Sequence, residues 1–252
     1  SSATRRRGAD PTRTYTPGVH PIERLRYVAR SQGAPPEMLV REASVALGAF
    51  RDDPAGMVAA CRRIIDRQLT CAPLWWLCAR MLCAPEAMRE GHAAVVEMEG
   101  DPTGQLLAAA LPDDASVVVV GWPAQAVAAL RRRGDVEVLV VDVAGEARHA
   151  VDQLELLDVE AIEVPARGSA VAIGLADLVL VDALAVGPDS ALVPAGSLAA
   201  AAVARHVGVP VWTIGGVGRL MPGSMFDALA NRWSTSVEPL EAEEELMPLA
   251  LV

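Results

Sequence analysis

The sequence contains no lysine. All 22 residues in the Lys+Arg count are arginine, and the formal net charge is −10. An acidic chain is a poor general binder of nucleic acid, because affinity there comes largely from neutralising phosphates. The two short basic runs, 5–7 and 131–133, read as a solvated arm and a helix C-terminus favoured by the helix dipole. The chain also lacks any stretch of ~18 apolar residues free of charge or proline, so no membrane span is expected. The nearest candidate, VAIGLADLVLVDALAVG, contains Asp177 and Asp182 and reads as a buried strand with its flanks. No apolar run follows the first arginines, which argues against a secretory signal and for a cytoplasmic protein.

Other signatures are missing too. The four cysteines, Cys61, Cys71, Cys78 and Cys83, form no C-x-x-C pair, and His92 is not at zinc-ligand spacing from any of them. They are expected to be buried reduced thiols, with no metal. There is no internal repeat. No G-x-G-x-x-G follows a strand, so no dinucleotide cofactor is expected, and none of any other kind.

What remains is enough for a sizeable core, since 52% of residues are hydrophobic. Residues 1–18 are polar and proline-containing and are expected to form a flexible arm. Residues 19–111 read as a helical domain. IERLRYVARS is amphipathic, and PPEMLVREASVALGAFR follows with prolines where a helix starts. In DPAGMVAACRRIIDRQL, Asp53 is the expected cap and Pro54 the first helical residue. PLWWLCARMLCAPEAMREGH reads as a helix apolar almost all round, which must be buried in the core or against a partner chain.

From 112 to 233 the texture changes. SVVVVG, VEVLVVDV, VEAIEVP, DLVLVDA and VPVWTIG are short β-branched runs. PAQAVAALRRR, EARHAVDQLELLD, SAVAIGL and SLAAAAVARHV lie between them at helical length. Near-continuous apolar strands mean a sheet covered on both faces. The expected fold is α/β: a helical domain, then a Rossmann-like, doubly wound parallel sheet. Residues 234–252 read as an acidic C-terminal tail that docks somewhere, with a second subunit as one option.

In such a sheet, ligands bind at the carboxyl ends of the strands. The first loop carries Trp122, too bulky for a pyrophosphate to approach the backbone. The second strand ends at Asp142, placed to hold a ribose hydroxyl. Asp182 ends a later strand, with Asp189 in the loop beyond. Gly196-Ser197 opens a helix, and Ser197 is the expected N-cap of an anion-binding helix start. In IGGVGRLMPG, Gly216 and Gly218 allow close backbone approach, which serves either a plain turn or a phosphate that Arg219 would close around with Ser197.

DLVLVDALAVGPDSALVPAGSLAAAAVARHVGVPVW resembles the segment shared by the alpha, beta and delta subunits of translation initiation factor 2B. Methylthioribose-1-phosphate isomerase and ribose-1,5-bisphosphate isomerase belong to the same superfamily. Val181-Asp182-Ala183-Leu184 stands at the strand end, Gly196-Ser197 at the helix start and Val209-Pro210-Val211 before the last strand. The resemblance implies a helical domain followed by a Rossmann-like one and a phosphorylated ligand, while the apolar PLWWLCARML helix and the LMPLALV tail favour a homodimer or larger homo-oligomer. It also puts Trp122 where the isomerases have a cysteine and Leu184 where they have an aspartate. The Asn-Lys pair of their loop is replaced around Val193-Pro194. Neither Trp122 nor Leu184 can transfer a proton, so the resemblance implies a pseudoenzyme.

Asp182, two residues before Leu184 and ~6–7 Å back along the same strand face, is the one candidate catalytic residue left; its other reading is a buried carboxylate bonded to loop amides that holds the joint. Arg41, in Met38 to Arg41, is similar to a substrate-contacting arginine motif, with Glu42 where the motif has glycine. The expected function is a catalytically degenerate subunit binding a phosphorylated metabolite or nucleotide, with regulatory or assembly roles and a protein partner. An active sugar-phosphate isomerase with rearranged residues and a purely structural oligomer are the alternatives.

Overall fold

A computed structural model describes residues 21–31 and 33–252. The expected arm at 1–18 and the arginine run at 5–7 lie outside the described residues. Six helices come first: α1 (Pro21–Arg30), α2 (Pro36–Leu47), α3 (Pro54–Arg67), α4 (Ala72–Cys83), α5 (Ala87–Glu99) and α6 (Thr103–Ala110). Proline opens α2 and α3, where its missing N–H has no helical partner to lose. Asp53 caps α3 by accepting the Gly56 N–H at 2.9 Å. The segment expected as one long apolar helix is two, because Pro85 cannot continue α4 and the chain turns before α5. The cysteine expectation is also corrected. Cys61 and Cys78 are buried, but Cys71 is partly exposed and Cys83 exposed; all four are free.

The α/β part continues as β1 (Ser116–Val120), α7 (Val127–Leu130), β2 (Glu137–Asp142), α8 (Ala147–Glu155), β3 (Ala161–Pro165), α9 (Ser169–Leu175) and β4 (Leu178–Asp182). Then come β5 (Ala185–Val186), β6 (Ser190–Pro194), α10 (Ser197–Val207), β7 (Val211–Ile214), α11 (Gly223–Ser234) and β8 (Glu244–Pro248). The five expected strands form one parallel sheet in the order β3-β2-β1-β4-β7. Successive residues of a strand point to opposite faces, and β1 shows both faces covered. Val117 and Val119 join Leu130 of α7 and Leu154 of α8. Val118 and Val120 join Ile173 of α9 and Ala200, Ala201 and Ala204 of α10. The stretch between β4 and α10, expected as a loop, is a hairpin. Gly187 N–H bonds the Ser190 carbonyl, and β5 and β6 pair antiparallel around that turn.

The chain divides into two compact units. One takes the described residues through Gln68 together with Leu77–Val96; the other takes Leu69–Trp76 and Glu97–Val252. The sheet unit therefore includes α6, upstream of residue 112. Leu107 and Leu111 lie in the core of the sheet. Arg133 also donates to the carbonyls of Ala108 (3.0 Å), Leu111 (2.6 Å) and Pro112 (2.8 Å), holding the end of α6. Within this unit Trp75 is buried, its indole N–H on the Leu69 carbonyl at 3.0 Å and the Arg232 guanidinium over its ring.

Part of the acidic tail is a strand of the same unit. β8 pairs antiparallel with β6 over five register positions, Ser190↔Pro248 to Pro194↔Glu244. Met247 is its fully buried residue. Trp233 donates its indole N–H to Glu244 at 3.2 Å, and Arg205 of α10 donates to the Ala250 carbonyl. Among the described residues, no helix is long and apolar enough to cross a membrane. Met247→Ala is expected to cost about 2–5 kcal/mol, the range for emptying a fully buried site, measured by urea denaturation of the sheet unit. A change near zero would mean that the terminal strand is not part of the cooperative fold.

Candidate functional site

The strand order reverses at β1, with β2 and β3 on one side and β4 and β7 on the other. The crevice outside the carboxyl ends of β1 and β4 is where such sheets take ligands. Here it is bridged. The Gln125 backbone N–H, in the loop after β1, donates to Asp182 Oδ2 at 2.7 Å. The Gln125 side chain completes the tie: Nε2 donates to the carbonyls of Ala183 (2.9 Å) and Ile214 (3.1 Å), and Oε1 accepts the Gly216 N–H at 2.7 Å. One glutamine thus joins the ends of β1, β4 and β7. A lone glutamine in an alanine-rich run gave no sequence signal for this.

Asp101, just before α6, was missed as well. Its Oδ1 accepts the Thr103 N–H and its Oδ2 the Val217 N–H, each at 2.8 Å. A Cβ at Gly216 would stand 2.5 Å from Asp101 Oδ2 and 3.2 Å from Gln125 Oε1. The close approach that this glycine permits is therefore to the chain's own polar groups. Gly218, in the same loop, lies beside Pro73 and Trp76. Arg219 donates from Nη1 to the Ala183 carbonyl at 3.2 Å, and its charge acts on both Asp101 and Asp182. Burial pushes Asp101 up, but the hydrogen bonds from Thr103 and Val217, with Arg219, outweigh it and hold the carboxyl below its usual range. At Asp182 burial wins. It pushes the carboxyl up to about 6, against the Gln125 N–H and Arg219. The residue keeps some exposure, yet its Oδ1 is fully enclosed and has no hydrogen-bond partner.

The helix start at 196–197 is built differently from the sequence expectation. Gly196, not Ser197, is the N-cap residue of α10, at φ +92°. A Cβ there would be strained and 2.7 Å from Val143 Cγ1. Ser197 is the first helical residue, 1% exposed, and no side-chain cap bond is made. The Leu198 N–H donates to Glu245 Oε1 of β8 at 2.8 Å. A carboxylate of the chain itself thus sits where an external anion would be received.

The remaining candidates separate. Asp142 Oδ1 accepts the N–H groups of Gly145 (2.7 Å) and Ala147 (3.3 Å), holding the turn into α8. Trp122 is 43% exposed rather than packed into a cavity. Leu184 is not on the strand face with Asp182: the chain has left β4, and its N–H bonds the Leu192 carbonyl at 2.8 Å in the hairpin. Asp189 is exposed in the hairpin turn, its carbonyl accepting the Leu249 N–H. Arg41 lies on the exposed side of α2, in the helical unit. Asp182, Gly216 and Arg219 are brought together through Gln125 and Ala183. Gly196 and Ser197 are not part of that cluster: α10 packs on the Val118 face, whereas Asp182 continues the Leu180 face. Among the described residues, no three of His, Cys, Asp and Glu are grouped to hold a metal ion.

No protein-family model and no curated protein matches the sequence. Solved structures do. A chain of the tetrameric beta2-delta2 complex of translation initiation factor 2B from Chaetomium thermophilum aligns with a TM-score of 0.72. It is 15% identical over 92% of this chain and 86% of that one. Translation initiation factor 2B of Pyrococcus horikoshii gives 0.68 at 13% identity, over 81% and 80%. The chain has the initiation factor 2B fold. 5-Methylthioribose 1-phosphate isomerase of P. horikoshii shares this fold more loosely, with a TM-score of 0.57 at 13% identity over 79% and 68%. At these identities the likeness concerns architecture. The helical segment followed by a five-stranded parallel sheet is what this chain has in common with them.

Because the folded state raises the Asp182 pKa, its neutral form is favoured on folding. The resulting stability is fully present below the ordinary carboxylate pKa and is lost as pH rises through about 6. Asp182→Asn, permanently neutral, is expected to remove that dependence. The stability of the native chain relative to the variant should fall between pH 4 and 7 by up to ~3 kcal/mol. Parallel pH profiles in urea melts would contradict the assignment.

Proposed function

We propose that this chain is a cytoplasmic, non-catalytic relative of the initiation factor 2B subunits and the isomerase, acting as an assembly or regulatory subunit. One observation carries the reading: amide groups that could receive a phosphate, after β7 and at the start of α10, hold Asp101 and Glu245 of the chain itself. A phosphorylated metabolite or nucleotide would have to displace a carboxylate at either place, so the geometry favours the assembly role over the ligand role. The two positions that the resemblance assigns to proton transfer hold Trp122 and Leu184. General acid and base groups contribute about 10²–10⁴-fold each, so little turnover is expected without them. The tetrameric complex of the structural relatives supports association with further copies or with a protein partner.

Asp182 favours a second reading. A carboxyl titrating near 6 at the strand-order reversal is poised for proton transfer, as in an isomerase with rearranged residues. The experiment is to incubate the chain with methylthioribose 1-phosphate and ribose 1,5-bisphosphate, follow the sugars by NMR, and measure association by sedimentation. The expected outcome is no isomerised sugar and a dimer or larger assembly. Isomerisation that Asp182→Asn abolishes would replace the first reading with the second, and a monomer at micromolar concentration would remove the assembly role.

A further inference from the structure

The helical unit contains a cavity of about 710 Å³. It lies where the turn after α2, the start of α3 and the corner between α4 and α5 meet. The volume falls in the range that holds small ligands, roughly 300–1,000 Å³. Phe50, Met57 and Met81 line it, with Val58, Leu82 and Met88 beside them. The last three are exposed large apolar side chains, Met88 at 52%. Apolar surface facing water is unfavourable, and such surface gathered at one opening marks a binding site more often than scattered residues do. Methionines, unbranched and polarizable, adapt to an occupant's shape.

The charged residues of the lining narrow the class of occupant. Arg51 holds Asp52 through Nε at 3.1 Å, while its Nη1 is directed at the Met88 sulfur at 3.8 Å. A thioether is a weak acceptor, and a carboxylate or sulfonate would bind the same N–H more strongly. Arg89 lines the cavity too, but so do Asp52 and Glu86. Two cations offset by two anions leave no excess positive charge to hold a multiply charged sugar phosphate, whereas the Arg51 Nη1 that meets only a sulfur can take one anionic oxygen. We propose that this cavity binds a small amphipathic anion: an apolar ring or chain bearing a single carboxylate or sulfonate. The site is independent of the strand-end groups and of the assembly role.

The test uses the full chain and 1-anilinonaphthalene-8-sulfonate, an aromatic body with one sulfonate, followed by fluorescence. Saturable binding to a folded, cooperatively melting chain is expected. Leu82→Glu, at an exposed position, should weaken it by about tenfold or more without lowering the melting temperature. Arg51→Ala should weaken the sulfonate probe but leave the uncharged N-phenyl-1-naphthylamine unchanged. No saturable binding, or equal binding by Leu82→Glu, overturns the site. Equal weakening of both probes by Arg51→Ala overturns the assignment of an anion.

Discussion

Backbone N–H groups at the carboxyl end of a parallel sheet point out of the ladder and must find partners. In this molecule the partners are internal. The Gln125 amide is taken by Asp182, the Gly216 amide by the Gln125 side chain and the Val217 amide by Asp101. These bonds cross from loop to loop, so the ends of β1, β4 and β7 fix one another. The arrangement requires a carboxylate where water is scarce. Asp182 has one oxygen bonded and one enclosed without a partner, and burial raises its pKa to about 6. Arg219 offsets part of that cost and serves Asp101 at the same time. Removing any one of these groups would leave a buried donor or acceptor without its partner, which costs more than the bond itself contributes.

On the other face of the sheet the same demand is met from the far end of the chain. The first turn of α10 needs negative charge, and β8 brings Glu245 to it. Glu245 can reach only because β8 is zipped to β6, and β6 leads directly into α10. The hairpin, the helix and the terminal strand therefore form one folding problem. The carboxylate at Leu198 depends on Met247 being buried one strand residue away from Leu246, with the alternation keeping Glu245 on the side of Met247.

The parallel sheet was legible because β1, β2 and β4 are near-continuous runs of Val and Leu, and α9 and α10 fall on the stretches SAVAIGL and SLAAAAVARHV. The small antiparallel sheet was not. β5 has two residues, β6 ends in proline, and β8 opens with two glutamates and ends in proline, so none carries a strand pattern by itself. The site was legible in part. Asp182, Gly216 and Arg219 stand together, as their places at strand ends suggested. Gln125, Asp101 and Glu245 could not be found, because a residue's partner 57, 116 or 47 positions away in sequence leaves no local trace. Ser197 looked like a cap because serine often is one. Gly196 took the position because its backbone is left-handed there and pressed against Val143.

Architecture alone does not assign a role, since an initiation factor and an isomerase both share this chain's fold. The groups at the strand ends carry what chemistry the chain can do. Proton transfer needs a carboxyl oxygen within about 2.6–3.2 Å of the substrate proton. Asp182 offers one oxygen already held by Gln125 and another sealed from solvent. A substrate could reach it only if the loop after β1 moved and released Ala183, Ile214 and Gly216 together. That coupling makes Gln125, rather than Trp122 or Leu184, the residue on which access turns. It also makes the closed strand end a mechanical junction between the loops that follow β1, β4 and β7.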